Sequence, residues 1–155
     1  MKNYFGDKVS VFHSRNSIHE RTEVWRNVQE NKKNAQIIIG ARSSLFLPFK
    51  NLGLIIIDEE HENSYKQQEP SPRYHARDSA IILSRLHKSK IILGSATPSI
   101  ESSKNARNGK YGWVKLNERY GGIKMPKIET IEIKEEILND QMNGLFSKKL
   151  IRKLQ

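Results

Sequence analysis

The sequence contains no cysteine among its 155 residues. Disulfide bonds are therefore excluded, and so is a cysteine-based zinc site within this segment. A long apolar run is also missing, because the longest one, Leu52–Ile57, contains a glycine and is far too short to span a bilayer. The first residues lack the continuous apolar stretch of a signal peptide. We therefore expect a cytoplasmic protein with no membrane partner.

Negative charge is scarce relative to positive charge. The chain has 17 Asp and Glu against 27 Lys and Arg, which gives a net charge of +10. This balance favours a polyanionic partner such as a nucleic acid, although a solubilising basic surface would give the same count. The apolar content of 36% is typical of a folded chain, and the length fits one domain.

Short apolar runs rich in β-branched residues predict strands that are buried on both faces of a parallel sheet. These runs are Val9–Phe12, Gln36–Ile39, Leu52–Ile57 and Lys90–Leu93. Helical patterns lie between or after them, at Ser17–Lys33, at Tyr74–His87 and from Thr97 to about Asn108. The first helix opens on a capping box formed by Ser17 and Glu20, and the third has Thr97 as its expected N-cap. The order of elements predicts an α/β fold with flanking helices.

The C-terminal part has a different pattern. Tyr111–Leu116 predicts one more strand, and Asn117–Lys127, with two glycines and a proline, indicates a linker. Lys127–Ile133 alternates as an edge strand does, and Ser147–Leu154 predicts the start of a helix capped by Ser147. Because that helix runs into the end of the sequence, we expect the chain to be a piece of a longer protein.

An acidic element, Asp58-Glu59-Glu60-His61, follows the third predicted strand directly. A Mg²⁺ ion that bridges the β- and γ-phosphates of a nucleotide needs an oxygen ligand from the protein. Asp58 is suited to that role because ligands of open α/β sheets bind at the carboxyl ends of the strands. Glu59 could orient or deprotonate the attacking water. The alternative is an ordinary strand that ends in solvated acids, but His61 sharpens the match to a DExH motif.

A second element, Gly94–Ser99 (GSATPS), follows the strand Lys90–Leu93. The hydroxyls of Ser95 and Thr97 could bond to a carboxylate or phosphate one strand away. The alternative is helix capping by Thr97 with proline after it, and both roles are compatible. An SAT sequence at this distance from a DExH sequence is more specific than either alone. Together the two elements resemble motifs II and III of superfamily 2 helicases.

Two further segments carry candidate nucleic-acid contacts. Asn63–Asp78 interleaves aromatic rings, which stack on bases, with cations, which meet phosphates. Its candidates are Tyr65, Lys66, Arg73, Tyr74, His75 and Arg77. The turn Gly40–Ser43 offers a close backbone approach at Gly40 and phosphate contacts from Arg42 and Ser43. The alternatives are a polar surface loop and a plain strand exit.

The motifs as a set resemble the primosomal replication-restart helicases. The stretches that carry the resemblance are VFHSRNSIHERTEVW, GARSSLFLPFKNLGLIIIDEEHENSYKQQEPSPRYHARDSA and ILGSATPSIES, and it is strongest from about His13 to Tyr120. It implies a RecA-like (P-loop NTPase) fold and an ATP-dependent 3′→5′ DNA helicase that acts in replication restart and primosome assembly. The implied partners are forked and single-stranded DNA, primosome proteins and single-strand-binding protein.

The resemblance also implies roles for single residues. Asp58 and Glu59 would be the Mg²⁺-binding and water-activating residues. The residues that would couple ATP hydrolysis to DNA are Glu60, His61, Gly94, Ser95, Ala96 and Thr97. The loop Tyr65–Asp78 would link single-strand binding to hydrolysis, and Gly40–Ser43 would contact DNA.

One motif of these helicases is missing from the sequence, namely the phosphate-binding loop G-x-x-x-x-G-K-[ST]. The resemblance places that loop upstream, so we expect a partial RecA-like fold without appreciable ATPase activity of its own. Residues 1–120 would be the latter part of the first helicase lobe, and residues 121–155 the linker and the start of the second. Zinc is expected only in a cysteine-rich module outside this segment. Two alternatives remain, a different superfamily 2 DNA translocase and a non-catalytic single-stranded DNA-binding module.

Overall fold

The computed structural model describes residues 2–118, 120–123 and 126–154. The chain forms two compact units that divide between Trp113 and Val114. The predicted boundary between residues 120 and 121 lies beside this division and stays a prediction. Of the predicted linker, Arg119, Lys124 and Met125 lie outside the described residues.

The first unit contains four short strands and four α-helices among its described residues. The strands are β1 (Val9–Phe12), β2 (Ile37–Gly40), β3 (Leu54–Ile57) and β4 (Lys90–Leu93). The helices are α1 (Lys2–Phe5), α2 (Ile18–Gln29), α3 (Ala76–His87) and α4 (Ile100–Arg107). Short 3₁₀ turns at Arg42–Phe46 and Asn63–Tyr65 lie in the two longest connections.

Local sequence rules account for most of these boundaries. β1 and β4 have the predicted bounds, and the capping box of α2 forms, with Ser17 Oγ accepting from Glu20 N–H at 3.2 Å and Glu20 Oε2 accepting from Ser17 N–H at 2.7 Å. The prediction of Thr97 as the N-cap of the third predicted helix, which corresponds to α4, was wrong. Ser99 caps α4 instead, because its hydroxyl accepts from the Ser102 N–H at 3.2 Å.

The strands form two parallel pairs with a helix in each connection. β1 pairs with β2 in the register Val9↔Ile37, and β3 pairs with β4 in the register Leu54↔Lys90. Each pair is a βαβ unit, so the predicted α/β fold with parallel strands and flanking helices is confirmed. The sequence predicted one sheet, whereas the four described strands of the first unit form two separate two-stranded sheets.

Each pair has its own apolar cluster. Phe12, Val28 and Leu47 form the cluster of the first pair, and Ile55, Ile57 and Ala80 form that of the second. The turn after β2 serves both, since Leu45 packs on the second cluster and Leu47 belongs to the first. Full burial of a leucine side chain contributes about 1.5–3 kcal/mol. The turn therefore connects the two clusters, through the buried Leu47 and the partly buried Leu45.

The strands are not buried on both faces as predicted. Along β3 the buried residues alternate with exposed ones, and Ile56 is 65% exposed. Its neighbour across the pair, Ile92, is 52% exposed. Within the first unit, no described element covers this face of the β3–β4 pair, so its apolar side chains lie exposed there.

The described residues of the second unit are irregular up to Glu132, apart from a 3₁₀ turn at Tyr120–Gly122. It then contains α5 (Ile133–Leu138), a short antiparallel hairpin of β5 (Met142–Asn143) and β6 (Phe146–Ser147), and α6 (Lys148–Leu154). The predicted strands Tyr111–Leu116 and Lys127–Ile133 were wrong. The predicted cap of the last helix forms, because the Ser147 hydroxyl accepts from Leu150 N–H at 3.1 Å. In the described part of the chain, no helix is long and apolar enough to cross a membrane.

Candidate functional site

The acidic element lies at the carboxyl end of β3, beside the start of the GSATPS segment. The ladder between β3 and β4 continues past both strands, because Gly94 N–H donates to Ile57 O at 2.8 Å and Glu60 N–H donates to Gly94 O at 3.0 Å. A β-carbon at Gly94 would make only ordinary contacts with Asp58, at 3.7 Å. The ladder therefore brings the two elements together by backbone hydrogen bonds, as the shared strand-end position predicted.

Asp58 and Glu59 are both exposed at this end of the sheet. The Asp58 carboxylate accepts one hydrogen bond, from Glu59 N–H at 3.1 Å, which leaves its second oxygen open. Glu59 adopts a left-handed backbone conformation with φ of 49°. This conformation costs a non-glycine residue about 1–2 kcal/mol, so the surrounding contacts hold Glu59 in a strained turn.

The carboxylates at the carboxyl end of β3 suit a metal ion that takes most of its ligands from phosphate oxygens and waters. Among residues 2–118, 120–123 and 126–154, no group of three or more His, Cys, Asp or Glu side chains is placed to hold a metal ion. Mg²⁺ is commonly bound through one or two carboxylates while phosphate oxygens and waters complete its shell. Asp58, exposed and singly hydrogen-bonded, fits that arrangement.

His61 joins the acidic element to the GSATPS segment. Its Nδ1 lies 2.7 Å from Ser95 Oγ, and its Nε2 lies 3.3 Å from Thr97 Oγ1. The Ser95 hydroxyl also accepts from Thr97 N–H at 3.0 Å, which closes a small ring of hydrogen bonds. Ala96 is exposed between these two residues. A displacement of His61 would therefore change its contacts with Ser95 and Thr97 in the SAT turn.

Glu60 points the other way, into the protein. It is 1% exposed, and its Oε1 accepts from Ser99 N–H at 2.7 Å. Its Oε2 accepts from Ser99 Oγ at 3.0 Å, from Ser102 Oγ at 2.9 Å and from Arg77 Nη1 at 3.1 Å. Both carboxylate oxygens of Glu60 accept hydrogen bonds from groups within the protein, so Glu60 does not present an oxygen to a nucleotide.

Arg77 differs most from the sequence prediction. It was expected to contact DNA, but its side chain is only 9% exposed and pairs with Glu60. Its Nε also donates to Asp78 Oδ1 at 3.0 Å, and its Nη1 donates to Ser99 Oγ at 2.8 Å. A guanidinium held by these partners inside the protein is not free to meet a phosphate.

In both Glu60 and Arg77, hydrogen bonds within the protein outweigh the effect of burial on the pKa. Burial acts to raise the pKa of Glu60, but the hydrogen bonds from Ser99, Ser102 and Arg77 outweigh burial, and the net pKa lies below the ordinary value. Burial acts to lower the pKa of Arg77, but its bonds to Asp78 and Glu60 outweigh burial and raise it. Both groups are therefore charged near neutral pH.

The loop that begins after the acidic element is tied back to it. The Tyr65 hydroxyl donates to the backbone oxygen of Asp58 at 2.7 Å, and its ring packs on the cluster of Ile55, Ile57 and Ala80. Burial raises the Tyr65 pKa, with Asp58 and other nearby acids adding to it. Tyr65 was predicted as a stacking residue, but its hydroxyl and half-buried ring are engaged within the protein.

The tip of the loop holds the exposed candidates. Lys66 and His75 form an isolated antiparallel bridge, and a cleft of about 690 Å³ lies between the two arms of the loop. Lys66 and Arg73 are exposed at this cleft, and Tyr74 is half-buried there with its ring edge-on to Phe46 at 4.9 Å. His75 Nδ1 is buried without a hydrogen-bond partner among the described residues.

The Gly40–Ser43 turn holds this loop from the other side. Arg42 Nη1 donates to Ser64 O at 2.8 Å, so its guanidinium supports the loop. A β-carbon at Gly40 would lie 2.5 Å from the Ser44 β-carbon and 2.8 Å from Phe12 O, which explains the glycine by packing within the protein. Ser43 is exposed.

The sequence reasoning missed three residues near the site. Ser99 and Ser102 complete the shell of Glu60, and Phe46 is an exposed ring that contacts Tyr74. The spacing Ser99-x-x-Ser102 at a helix start was a usable signal, since an N-cap hydroxyl bonds to the residue three positions on. No local pattern marks Phe46.

Comparisons with known proteins place the chain among helicases. The family model described as DEAD/DEAH box helicase matches residues 1–106. The chain is 43% identical over 154 residues, 99% of its length, to replication restart protein PriA of Bacillus subtilis, and covers 19% of that protein. It is 43% identical over 150 residues to PriA of Chlamydia pneumoniae, with 97% of this chain and 20% of that protein covered. For PriA of Rickettsia felis the identity is 43% over 151 residues, with 97% and 22% covered.

The chain thus spans about a fifth of the length of the curated relatives it matches. The similarity extends over nearly all of the chain, beyond the motifs themselves. The resemblance that the motifs indicated is confirmed by these matches.

Proposed function

The chain belongs to the DEAD/DEAH box helicase family, and on that premise we propose that it is part of the motor core of an ATP-dependent DNA helicase that acts in replication restart. The direction of movement would be 3′→5′ and the setting primosome assembly, as the resemblance implies. The RecA-like α/β fold of the family agrees with the two βαβ units of parallel strands.

The observation that carries this proposal is the junction between the acidic element and the SAT turn. Asp58 and Glu59 are exposed at the end of β3, while His61 of the same element is bonded to Ser95 and Thr97 beyond β4. A plain solvated strand end would not need a histidine that contacts both hydroxyls of the neighbouring turn. The arrangement suits a site where hydrolysis has to be transmitted to a second element.

In this mechanism each residue has a separate task. Asp58 would hold the Mg²⁺ ion, which would neutralise charge on the β- and γ-phosphates when a nucleotide is bound. Glu59 would accept a proton from the attacking water or orient it. His61 would transmit the change at the acidic element to Ser95 and Thr97.

The chain carries only part of the nucleotide site in this proposal. Its sequence has no G-x-x-x-x-G-K-[ST] motif, whose backbone N–H groups and lysine bind the phosphates in this class of enzyme. The relatives are about five times longer, so the motif would come from the longer protein, along with a second lobe and any zinc module. The segment 1–120 would then be the latter part of the first lobe, and 121–155 the linker and start of the second.

The DNA-contacting surface in this proposal is narrower than the sequence suggested. Lys66, Arg73 and Tyr74 remain candidates because they lie at the open cleft of the loop. His75 lies beside them, with Phe46 in contact with Tyr74. Single-stranded or forked DNA would be the partner, and primosome proteins and single-strand-binding protein would be partners of the longer protein.

The test is a comparison of ATP hydrolysis by this chain and by a longer protein that contains it. We expect no appreciable Mg²⁺-dependent turnover by the chain alone and DNA-stimulated turnover by the longer protein. Glu59→Gln should abolish the latter, while the matched Glu62→Gln, at an exposed position just outside the motif, should not. ATPase activity of the chain alone that Glu59→Gln removes would contradict the incomplete site, and a longer protein without ATPase activity would contradict the enzyme.

A second candidate function is a non-catalytic single-stranded DNA-binding module, which the cleft with Lys66, Arg73 and Tyr74 favours. The affinity of the chain for labelled oligo-dT can be measured by fluorescence anisotropy. It should fall steeply with salt concentration, because binding releases the counterions that surround the DNA phosphates. Tyr74→Ala should weaken binding if its ring stacks on a base, and Tyr4→Ala, the same change at an exposed position of α1, is the control. Binding that is absent at low salt or insensitive to salt would exclude this module.

A different superfamily 2 DNA translocase is the runner-up enzyme. The run YKQQEPSPRYHARD and the identity to replication restart proteins over 95% or more of the chain argue against it. A phosphate-binding loop upstream and paired cysteine motifs downstream in the full-length sequence would favour replication restart.

A further inference from the structure

The loop between the acidic element and α3 returns to that element at both of its ends. At its start, the Tyr65 hydroxyl donates to Asp58 O at 2.7 Å. At its end, Arg77, the second residue of α3, donates to the carboxylate of Glu60 at 3.1 Å. The first tie is a single neutral hydrogen bond, whereas the second is a buried ion pair.

The second tie also includes the segment after the SAT turn. Ser99, the N-cap of α4, bonds to Glu60 through its N–H and its hydroxyl, and the same hydroxyl accepts from Arg77 at 2.8 Å. A serine hydroxyl has one proton to donate and two lone pairs to accept with. Here it donates to Glu60 and accepts from Arg77 and Ser102 N–H, so every position is filled.

A junction of this kind moves as a unit. The three elements it joins are the end of β3, the start of α3 and the start of α4. Glu60, Arg77 and Ser102 are buried and Ser99 is half-buried. Separating the charges of Glu60 and Arg77 would leave an unpaired charge inside the protein, which is strongly unfavourable. A shift of the loop end would therefore carry α4 and the SAT turn with it.

We propose that Glu60 and Arg77 are positioning residues that, through Ser99, rigidly connect the end of the DNA-facing loop to the SAT turn. This rests on the proposed function, because it assigns a physical path between its DNA surface and its ATP site. Both side chains are buried and bonded to protein partners, so in this proposal neither would touch nucleotide or DNA. Glu60 serves this connection, and Asp58 and Glu59 serve the chemistry.

The connection can be tested in this chain without any activity, by hydrogen–deuterium exchange. Arg77→Lys keeps the charge but loses the forked donor geometry, so Ser99 and the loop 63–75 should exchange together, roughly tenfold faster than in the wild type. Peptides from β1 and α2 should be unchanged and serve as the internal reference. The same substitution at the exposed Arg73 is the matched control and should leave Ser99 unaffected.

The outcomes separate a connection from a general loss of stability. Acceleration of β1 and α2 to the same degree would mean that Arg77 only stabilises the fold, and the proposal would be wrong. Acceleration of the loop without Ser99 would also overturn it. Ser102→Ala removes one neutral donor to Glu60 and no charge, so it supplies a milder variant if Arg77→Lys does not fold.

The longer protein supplies the functional test. Arg77→Lys should lower the ratio of DNA-stimulated to DNA-free kcat by roughly tenfold, within the usual range of coupling between sites, while half-stimulation occurs at the same DNA concentration. Arg73→Lys should instead raise that concentration. An unchanged ratio in folded Arg77→Lys would overturn the proposal. If the wild-type protein shows no DNA stimulation, the proposed function fails, and the exchange experiment still decides whether the loop and the SAT turn are connected.

Discussion

Replacing Glu60 by glutamine removes one charge from the interior and keeps the shape of the side chain. The new amide can still accept from Ser99 N–H through its oxygen. Its NH₂ group, however, faces the Arg77 guanidinium, which can only donate hydrogen bonds. The substitution therefore leaves a buried arginine without the carboxylate that now lies 3.1 Å away.

The cost can be worked from the contacts that remain. Breaking a buried ion pair by removing one partner typically costs about 3–5 kcal/mol, because the other charge is left uncompensated. Arg77 keeps Asp78 at 3.0 Å, and Glu101 lies 3.9 Å away, so part of the compensation survives. We therefore expect a loss of about 3 kcal/mol in the free energy of unfolding, at the lower end of that range.

Urea unfolding followed by far-ultraviolet circular dichroism measures this loss. Glu101→Gln is the matched control, since it makes the same chemical change near the same arginine at a side chain that is 70% exposed. An exposed pair contributes about 0–1 kcal/mol, so the control should stay within about 0.5 kcal/mol of the wild type. If Glu60→Gln and Glu101→Gln unfold at the same urea concentration, the buried pair does not stabilise the fold as argued.

The contribution of Glu60 to the free energy of unfolding should also depend on pH, in a direction that its pKa determines. The folded-state pKa of Glu60 lies below its ordinary value of 4.5, so its contribution is fully present above that value. The contribution is lost as the pH falls through the folded-state pKa. The difference between wild type and Glu60→Gln should therefore be constant near neutral pH and shrink below pH 4.5. A difference that grows on acidification would refute this assignment.

Three further substitutions test the site by urea unfolding. Gly40→Ala should cost about 1–3 kcal/mol because its β-carbon would lie 2.8 Å from a backbone oxygen, whereas Gly53→Ala, with nothing within 4 Å, should not; equal costs would contradict the steric explanation. Glu59→Gly should leave the free energy of unfolding unchanged or raise it by up to about 1 kcal/mol, because glycine adopts the positive φ of 49° without strain. The same substitution should abolish ATP hydrolysis by the longer protein. A clear loss of stability would show that the turn is unstrained. Tyr65→Phe should cost about 1 kcal/mol by removing the 2.7 Å hydrogen bond at the start of the loop, and no change would mean that this tie is not formed in solution.

Local rules recovered much of the fold. The capping box of α2 and the bounds of β1 and β4 depend on neighbouring residues, so a pattern over a few positions is sufficient. The same approach failed at Lys127–Ile133, where alternation suggested a strand but no partner strand lies beside it in the described residues, and a helix begins at Ile133. It also missed the hairpin of β5 and β6, although its two-residue loop, Gly144-Leu145, has glycine at the first position with a φ of 60°, a recognised hairpin signal.

The candidate site was predictable where strand ends alone decide it. Parallel pairing brings the residues after β3 and β4 to one edge, so the contact between His61 and Ser95 follows from the strand pattern. The directions of Tyr65 and Arg77 do not follow from it. Both lie in a polar segment whose composition fits a nucleic-acid surface, and only the packing shows that each is bonded to the acidic element.

Local patterns were sufficient to place an acidic element and an SAT turn at the ends of two parallel strands, because short apolar runs and the motifs after them depend on neighbouring residues alone. The interior position of Glu60, the third acid of that element, depends instead on long-range packing. The partners of Glu60 are 17, 39 and 42 positions away along the chain, and they converge on it because the end of β3 and the starts of α3 and α4 lie at one place. No local pattern contains that convergence, and it separates the two acids that face solvent from the one that holds the loop and the turn together.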